Sequence, residues 1–331
     1  MTSRSEELPG LDWAGFLARW VEDTGGWTAL SYELSHRARG VVDLPDDPQT
    51  IEKGLRRLGR RGHGDGGQYG RWMLRFFGLP ADVSRWLRWM GQYHSRFSDL
   101  PVGLRSAQLS IWERAPIDES DQVAWLHLGQ ASVFMRTRDE PALERRLDLA
   151  RKSASRAGVA AQLEAGLFLA RRCSDARDEV GCAAQLDEVE ALLRAGDELD
   201  PDDRIIYASR LADQRAYRLL HPVEGARRLE EARRVYEDID DRGGEVAFAA
   251  YQRSLGLAYC AWKMGRVLDA RSSCERALDH AGDAGFVRFR VVALNLCSRI
   301  VEEPDDGPLR IRARRLARQL EDEELLWRLS K

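Results

Sequence analysis

The sequence predicts an all-α protein, an N-terminal helical domain followed by an α-solenoid of helix hairpins. Three observations carry that prediction. Helix-breaking residues recur at Gly158, Pro201, Gly243 and Gly285, spaced 43, 42 and 42 residues apart. A fixed period of this size marks stacked two-helix units, each unable to bury its apolar face alone. Next, residues 251–285 hold two helical stripes that face each other across a tight turn. Leu255, Leu257, Ala258, Ala261 and Trp262 form one; Val267, Ala270, Cys274, Ala277 and Leu278 form the other. Gly265 separates them, in the left-handed conformation that ends helices at no steric cost to glycine. Finally, seven of the ten tryptophans fall within the first 112 residues. That change of composition puts the boundary near residues 115–118, giving domains 1–115 and 118–331.

The N-terminal elements follow from local pattern. Residues 1–10 read as a disordered lead without the positive region and apolar run of a secretory signal. Leu11, Phe16, Leu17 and Trp20 stripe a helix over 11–22, which Gly25 and Gly26 break. Thr28 caps a second helix to Ala38, with Leu30, Leu34 and Tyr32 read as inward. Residues 40–48 form a turn. A third helix covers 49–61, because Ile51, Leu55 and Leu58 share one face while Lys53, Arg57, Arg60 and Arg61 lie away from it. Glycine density predicts a flexible loop over 59–71. A short helix over 71–77 stops at Gly78 and Pro80, Asp82 or Ser84 caps the next, and a further helix covers 104–112. Trp72, Phe76, Phe77, Trp86, Trp89 and Tyr93 read as core between these helices; a stacking platform for single-stranded nucleic acid would need them exposed.

Beyond the boundary the period implies five helix pairs, at about 118–158, 159–200, 201–243, 244–285 and 286–331. Leu257, Ala258, Gly265, Ala270, Ala277 and Leu278 fall at the spacings of a tetratricopeptide repeat, which this segment resembles. Trp125, Leu128 and Gly129 match the opening of that repeat in the first pair. Ala212, Ala216, Ala226, Leu229 and Ala232 match it loosely in the third. The second pair, with Ala165, Leu169, Leu186 and Val189, is a plain helix–turn–helix pattern, and the last ends in a charged segment suited to a capping helix. The period exceeds the usual repeat of about 34 residues, so helices or loops are longer. The resemblance covers the last two thirds of the chain and implies a right-handed superhelix.

Composition narrows the function. Charged residues make up 32% and mean hydropathy is -0.47, and no apolar run is long enough to cross a membrane. The five cysteines, Cys173, Cys182, Cys260, Cys274 and Cys297, are odd in number and read as free thiols in a reducing cytoplasm. The excess of arginine over lysine is associated with GC-rich bacterial genomes. No phosphate loop, H-E-x-x-H, paired C-x-x-C or nucleophile elbow occurs, and the six histidines are scattered. No enzyme, metal or cofactor is expected. Charge is uneven: residues 51–97 hold ten basic and three acidic side chains within a chain of net charge -3, a split that can mark a partner-binding surface.

The function expected is recognition of another protein or peptide, by an adaptor or regulatory protein, along a groove formed by the first helices. Polar residues within those apolar stripes are the candidates: Gln122, Gln130, Gln214, Arg253, Lys263 and Asn295. The alternative is a DNA-binding transcription regulator with an N-terminal helix-turn-helix over 27–61 and a repeat domain as sensor. There Gln49, Thr50, Lys53 and Arg57 would approach bases, Arg60 and Arg61 phosphates, and Arg56 and Arg71 would flank the glycine loop. The connection between these helices is longer than the usual three or four residues and carries Asp43, Asp46 and Asp47. The same basic face also suits an acidic protein surface. The protein is expected to be cytoplasmic, with no membrane partner.

Overall fold

The computed structural model describes residues 11–61, 66–196 and 198–330. The expected lead over 1–10 and the middle of the glycine loop, residues 62–65, lie outside the described residues. Among the described residues the chain is all-α, without strands. It divides into two compact units, one holding Met1–Leu87 and Ser110–Gln122, the other Arg88–Leu109 and Val123–Lys331. The boundaries fall after residues 87, 109 and 122; the first two lie inside helices, and the third lies close to the expected 115–118 boundary.

The first unit contains α1 (Trp13–Thr24), α2 (Trp27–Ala38), α3 (Pro48–Arg61), α4 (Gly67–Phe77), most of α5 (Ala81–Gly91) and the end of α6 (Val102–Trp112). Trp13, Leu17, Leu30, Leu34, Ile51, Leu55 and Met73 are fully buried in it. Asp12 opens α1 by accepting the Gly15 N–H at 2.9 Å, and Gly25 closes it at φ 87°. Asp47 opens α3, accepting the Gln49 N–H at 3.0 Å and the Thr50 hydroxyl at 2.9 Å. The expected loop over 59–71 is shorter than glycine content suggested, since α3 runs to Arg61 and α4 starts at Gly67. Packing overrides propensity here. The Tyr69 ring lies over Gly54 so closely that a Cβ would come within 2.1 Å of it, and the apolar face of α4 is buried through Trp72, Met73 and Leu74.

The second unit is solenoid-like. After residues 88–109 come five hairpins: α7 (Val123–Thr137) with α8 (Glu140–Ala154), α9 (Val159–Asp175) with α10 (Glu179–Ala195), α11 (Pro201–Leu220) with α12 (Leu229–Glu237), α13 (Ala247–Lys263) with α14 (Val267–Asp283), and α15 (Val287–Ile300) with α16 (Pro308–Gln319). Helix α17 (Glu323–Leu329) ends the row. Each helix packs on its neighbours in the chain. The periodic stops are the hairpin junctions. Gly158, Gly243 and Gly285 have φ of 96°, 69° and 70°, and Pro201 is the first residue of α11, where its missing N–H costs nothing.

The row of hairpins returns to its own start. The Val102 N–H donates to the Leu320 carbonyl at 3.0 Å, the Gly103 N–H to Glu321 at 2.7 Å, and α17 packs on α7. Residues 92–99 run across the inner faces of the first helices. The Tyr93 N–H donates to Glu164 of α9 at 3.2 Å, His94 stacks against Tyr207 of α11 and Phe248 of α13, and Asp99 accepts the first-turn N–H of Arg288 in α15 at 2.7 Å. The interior is thus partly filled by the chain itself, where the pattern of breaks alone suggested an open groove.

The thiol expectation is corrected for two of the five cysteines. Cys274 of α14 and Cys297 of α15 form a disulfide with Cα atoms 5.9 Å apart, while Cys173, Cys182 and Cys260 are free. Adjacent helices bring the pair within bridging distance, which a sequence separation of 23 does not reveal.

Candidate binding cavity

Inside the solenoid-like unit lies a cavity of about 470 Å³. Its wall comes from the first helix of every hairpin, from Tyr236 of α12, from α17, and from Gly91 and Tyr93. The volume falls in the range of about 300–1,000 Å³ usual for small-ligand sites.

One end is a buried ionic floor. Glu164 is 1% exposed and holds Arg210 by two hydrogen bonds of 2.6 and 2.8 Å. Arg288, 4% exposed, donates to Asp322 at 3.3 Å, to the Tyr93 hydroxyl at 2.9 Å and to Glu324 at 3.1 Å. Burial pulls both guanidinium pKa values down, but the facing groups, Glu164 for Arg210 and Tyr93, Asp322 and Glu324 for Arg288, carry them above the usual value. Behind this floor Arg136 lies 3.5 Å from Asp322 and donates to the Ser98 carbonyl, and Arg105 donates to Ser132 at 3.1 Å. Burial and the neighbouring Arg288 bring Arg136 down to about 10, and Arg105 is held well below the usual arginine range by burial and the other two arginines. Such pairs are stable only while each buried charge keeps its partner.

The remaining wall is less satisfied. Asp213 on α11 accepts the Tyr236 hydroxyl at 2.9 Å through Oδ1 only. Burial raises its pKa, against the lowering effect of that hydrogen bond and of Arg171 and Arg210. Tyr236 reaches it because residue 256 is glycine: a Cβ there would lie 2.2 Å from the Tyr236 ring. Gln214 donates to the Leu167 carbonyl at 2.8 Å, which leaves its Oε1 buried without a partner. Arg171 is engaged by Asp175 at 3.1 Å and lies over the Tyr217 ring, while Arg328 pairs with Glu324. Arg299 forms no ion pair among the described residues, and the Asn295 side chain forms no hydrogen bond there. These two lie one turn apart on α15 and both face the cavity. Tyr217, Tyr259, Trp262 and Leu255 add apolar surface to the lining.

Of the six sequence candidates, Gln214 and Asn295 line this cavity. Gln122 lies in the turn before α7, Gln130 is buried with its side chain 3.4 Å from His127, Arg253 pairs with Asp241 at 3.3 Å, and Lys263 sits 3.5 Å over the Trp262 ring. Asp213 and Arg299 were not candidates. Each adjoins one, by one residue and by one turn, but only the packing shows which face of α11 or α15 turns inward.

In the first unit, Gln49, Thr50, Lys53, Arg56, Arg57, Arg60 and Arg61 are all exposed along α3, and Arg71 is half-buried in α4. Arg56 is held by Glu52 at 2.8 Å and by the Trp27 ring at 4.8 Å. Lys53, Arg57, Arg60 and Arg61 make no ion pair among the described residues. Trp20 packs on Phe77 and Tyr69 on Trp72, while Trp89 packs on Phe97 and Tyr93 on Phe289 in the second unit.

Among the described residues no group of three or more potential ligands could hold a metal ion, and no helix is long and apolar enough to cross a membrane. Comparison with family models, curated proteins and solved structures finds no match for this chain.

Proposed function

We propose that this is a recognition protein without catalytic activity, a tetratricopeptide-like adaptor or regulator whose repeats take a short peptide segment of a partner into their interior. The observation that carries this reading is the cavity of about 470 Å³ to which α7, α9, α11, α13 and α15 all contribute, with polar groups left unpartnered on its wall. Its size favours a short segment over a long chain. On this reading the protein acts in the cytoplasm, where three of its five cysteines stay as thiols.

The test is thermal unfolding of the full chain with pools of short synthetic peptides, beside a Val292→Trp variant that fills the cavity. A ligand present at about 100 times its Kd adds about 2.7 kcal/mol to stability, enough to raise Tm by about 5 °C. The wild type should respond to at least one pool and the variant to none. Equal shifts in both, or none in the wild type, reject the reading.

A second reading rests on α3. Four exposed cations without acidic partners, Lys53, Arg57, Arg60 and Arg61, on the second helix of a helix-turn-helix-like pair favour contact with nucleic-acid phosphate, as in a transcription regulator. Retardation of duplex DNA should weaken steeply with salt, and replacing all four by alanine should reduce the slope of log K against log salt by about 3 to 4. Absence of retardation at low salt ends this reading and leaves the same face to an acidic protein surface.

A further inference from the structure

We propose that the ligand of the interior cavity is a short zwitterion, a free amino acid or short peptide with both termini unblocked, its ammonium group at Asp213 and its carboxylate at Asn295 and Arg299. The proposal deepens the recognition reading and depends on it.

Five arginines and four carboxylates face the cavity: Arg171, Arg210, Arg288, Arg299 and Arg328 against Glu164, Asp175, Asp213 and Glu324. Ion pairs join Arg171 to Asp175, Arg210 to Glu164, and both Arg288 and Arg328 to Glu324. One charge of each sign is left, Asp213 and Arg299. Neither of these two half-buried residues has a countercharge on the wall, so a ligand that supplies both countercharges is favoured over one that supplies either alone.

The neutral groups divide the same way. Beside Asp213 on α11, the unpartnered atom of Gln214 is Oε1, an acceptor. The Asp213 carboxylate and this amide oxygen are both acceptors, which suit a group with several N–H donors, as a primary ammonium has. On α15, Asn295 and Arg299 line the cavity one turn apart, and an amide N–H with a guanidinium can donate to both oxygens of a carboxylate. Tyr217, Tyr259, Trp262 and Leu255 line the same cavity with aromatic and apolar surface, which suits apolar or aromatic ligand side chains. Tyr236 is a positioning residue: its hydroxyl holds Asp213, and the missing side chain at Gly256 makes room for its ring.

Isothermal titration of the full chain with a panel of apolar and aromatic L-amino acids and dipeptides tests this, each dipeptide in free, N-acetylated and C-amidated form. At least one free form should bind, and either block should weaken it by about tenfold or more, as expected for loss of a charge-assisted hydrogen bond. Asp213→Asn should abolish the discrimination against acetylation while keeping that against amidation, and Arg299→Gln should do the reverse. A merely structural role for either residue would not produce this crossed pattern. The cavity-filled Val292→Trp variant should bind none of the panel. Binding that ignores both blocks overturns the zwitterion while leaving peptide recognition in place. Failure of every free member to bind at about 10 mM also overturns it, and the synthetic peptide pools then decide separately whether recognition survives.

Discussion

Replacing Gly256 by alanine isolates the contact that shapes the cavity wall. The new Cβ would lie 2.2 Å from Cδ1 and Cε1 of Tyr236 and 2.4 Å from Cζ. The ring is 3% exposed and packs with Ala216, Leu220, Ala232 and Ile239, so it has little room to retreat. Overpacking of this kind costs about 1–3 kcal/mol. Moving the ring also breaks the 2.9 Å bond from its hydroxyl to Asp213, a hydrogen bond to a charged group worth about 1.5–3 kcal/mol. Alanine in mid-helix returns about 1 kcal/mol of helix propensity. The balance is a destabilisation of about 1.5–5 kcal/mol. Urea unfolding followed by circular dichroism measures it, and Tyr236→Leu and the double variant complete a cycle. Steric conflict predicts that Gly256→Ala is less harmful in the Tyr236→Leu background, by about 1 kcal/mol or more. A Gly256→Ala protein as stable as wild type, or more stable by the propensity term alone, would refute the placement of Tyr236 and the support it gives Asp213.

Two further outcomes follow from the buried charges. Asp322 is fully buried between Arg136 and Arg288, and its other oxygen caps α17 by accepting the Leu325 N–H at 2.9 Å. Asp322→Asn should cost about 3–5 kcal/mol in urea unfolding, and a loss below about 1 kcal/mol would contradict the pairing. His94 is buried near Asp203, Glu164 and Arg210. Burial lowers its pKa, Arg210 adds to the lowering, and the two carboxylates oppose it. Because the folded pKa lies below the unfolded value of about 6.5, the unfolded state takes up more protons as pH falls, and His94's contribution is present above that value and lost below it. The wild type should lose stability between about pH 7 and 5, and His94→Phe should lose less over the same interval. Equal losses in both proteins would show that other groups set the acid response.

The helices were largely legible from local pattern. The stripes of Ile51, Leu55 and Leu58 in α3 and of Ala270, Cys274, Ala277 and Leu278 in α14 appear where periodicity puts them. The glycine-rich stretch was not, because propensity counts Gly59, Gly67 and Gly70 as breakers while the packing of Tyr69 on Gly54 is a long-range contact. The cavity was partly legible. Gln214 and Asn295 stand out as polar residues on apolar helices, but Asp213 and Arg299 look like ordinary solvated charges until neighbouring helices enclose them.

Element type and the helix breaks follow from residue order alone, because hydrophobic period and the conformational freedom of glycine act over a few residues. Long-range packing sets the rest: the hairpins meet end to start, residues 92–99 cross their inner faces, and Cys274 meets Cys297. Those outcomes depend on small rotations accumulated from helix to helix and on partners such as Arg288 with Asp99 and Tyr93, 189 and 195 residues apart. No local window contains both members of such a pair, so the charges that remain free inside the cavity emerge only once the others have found each other.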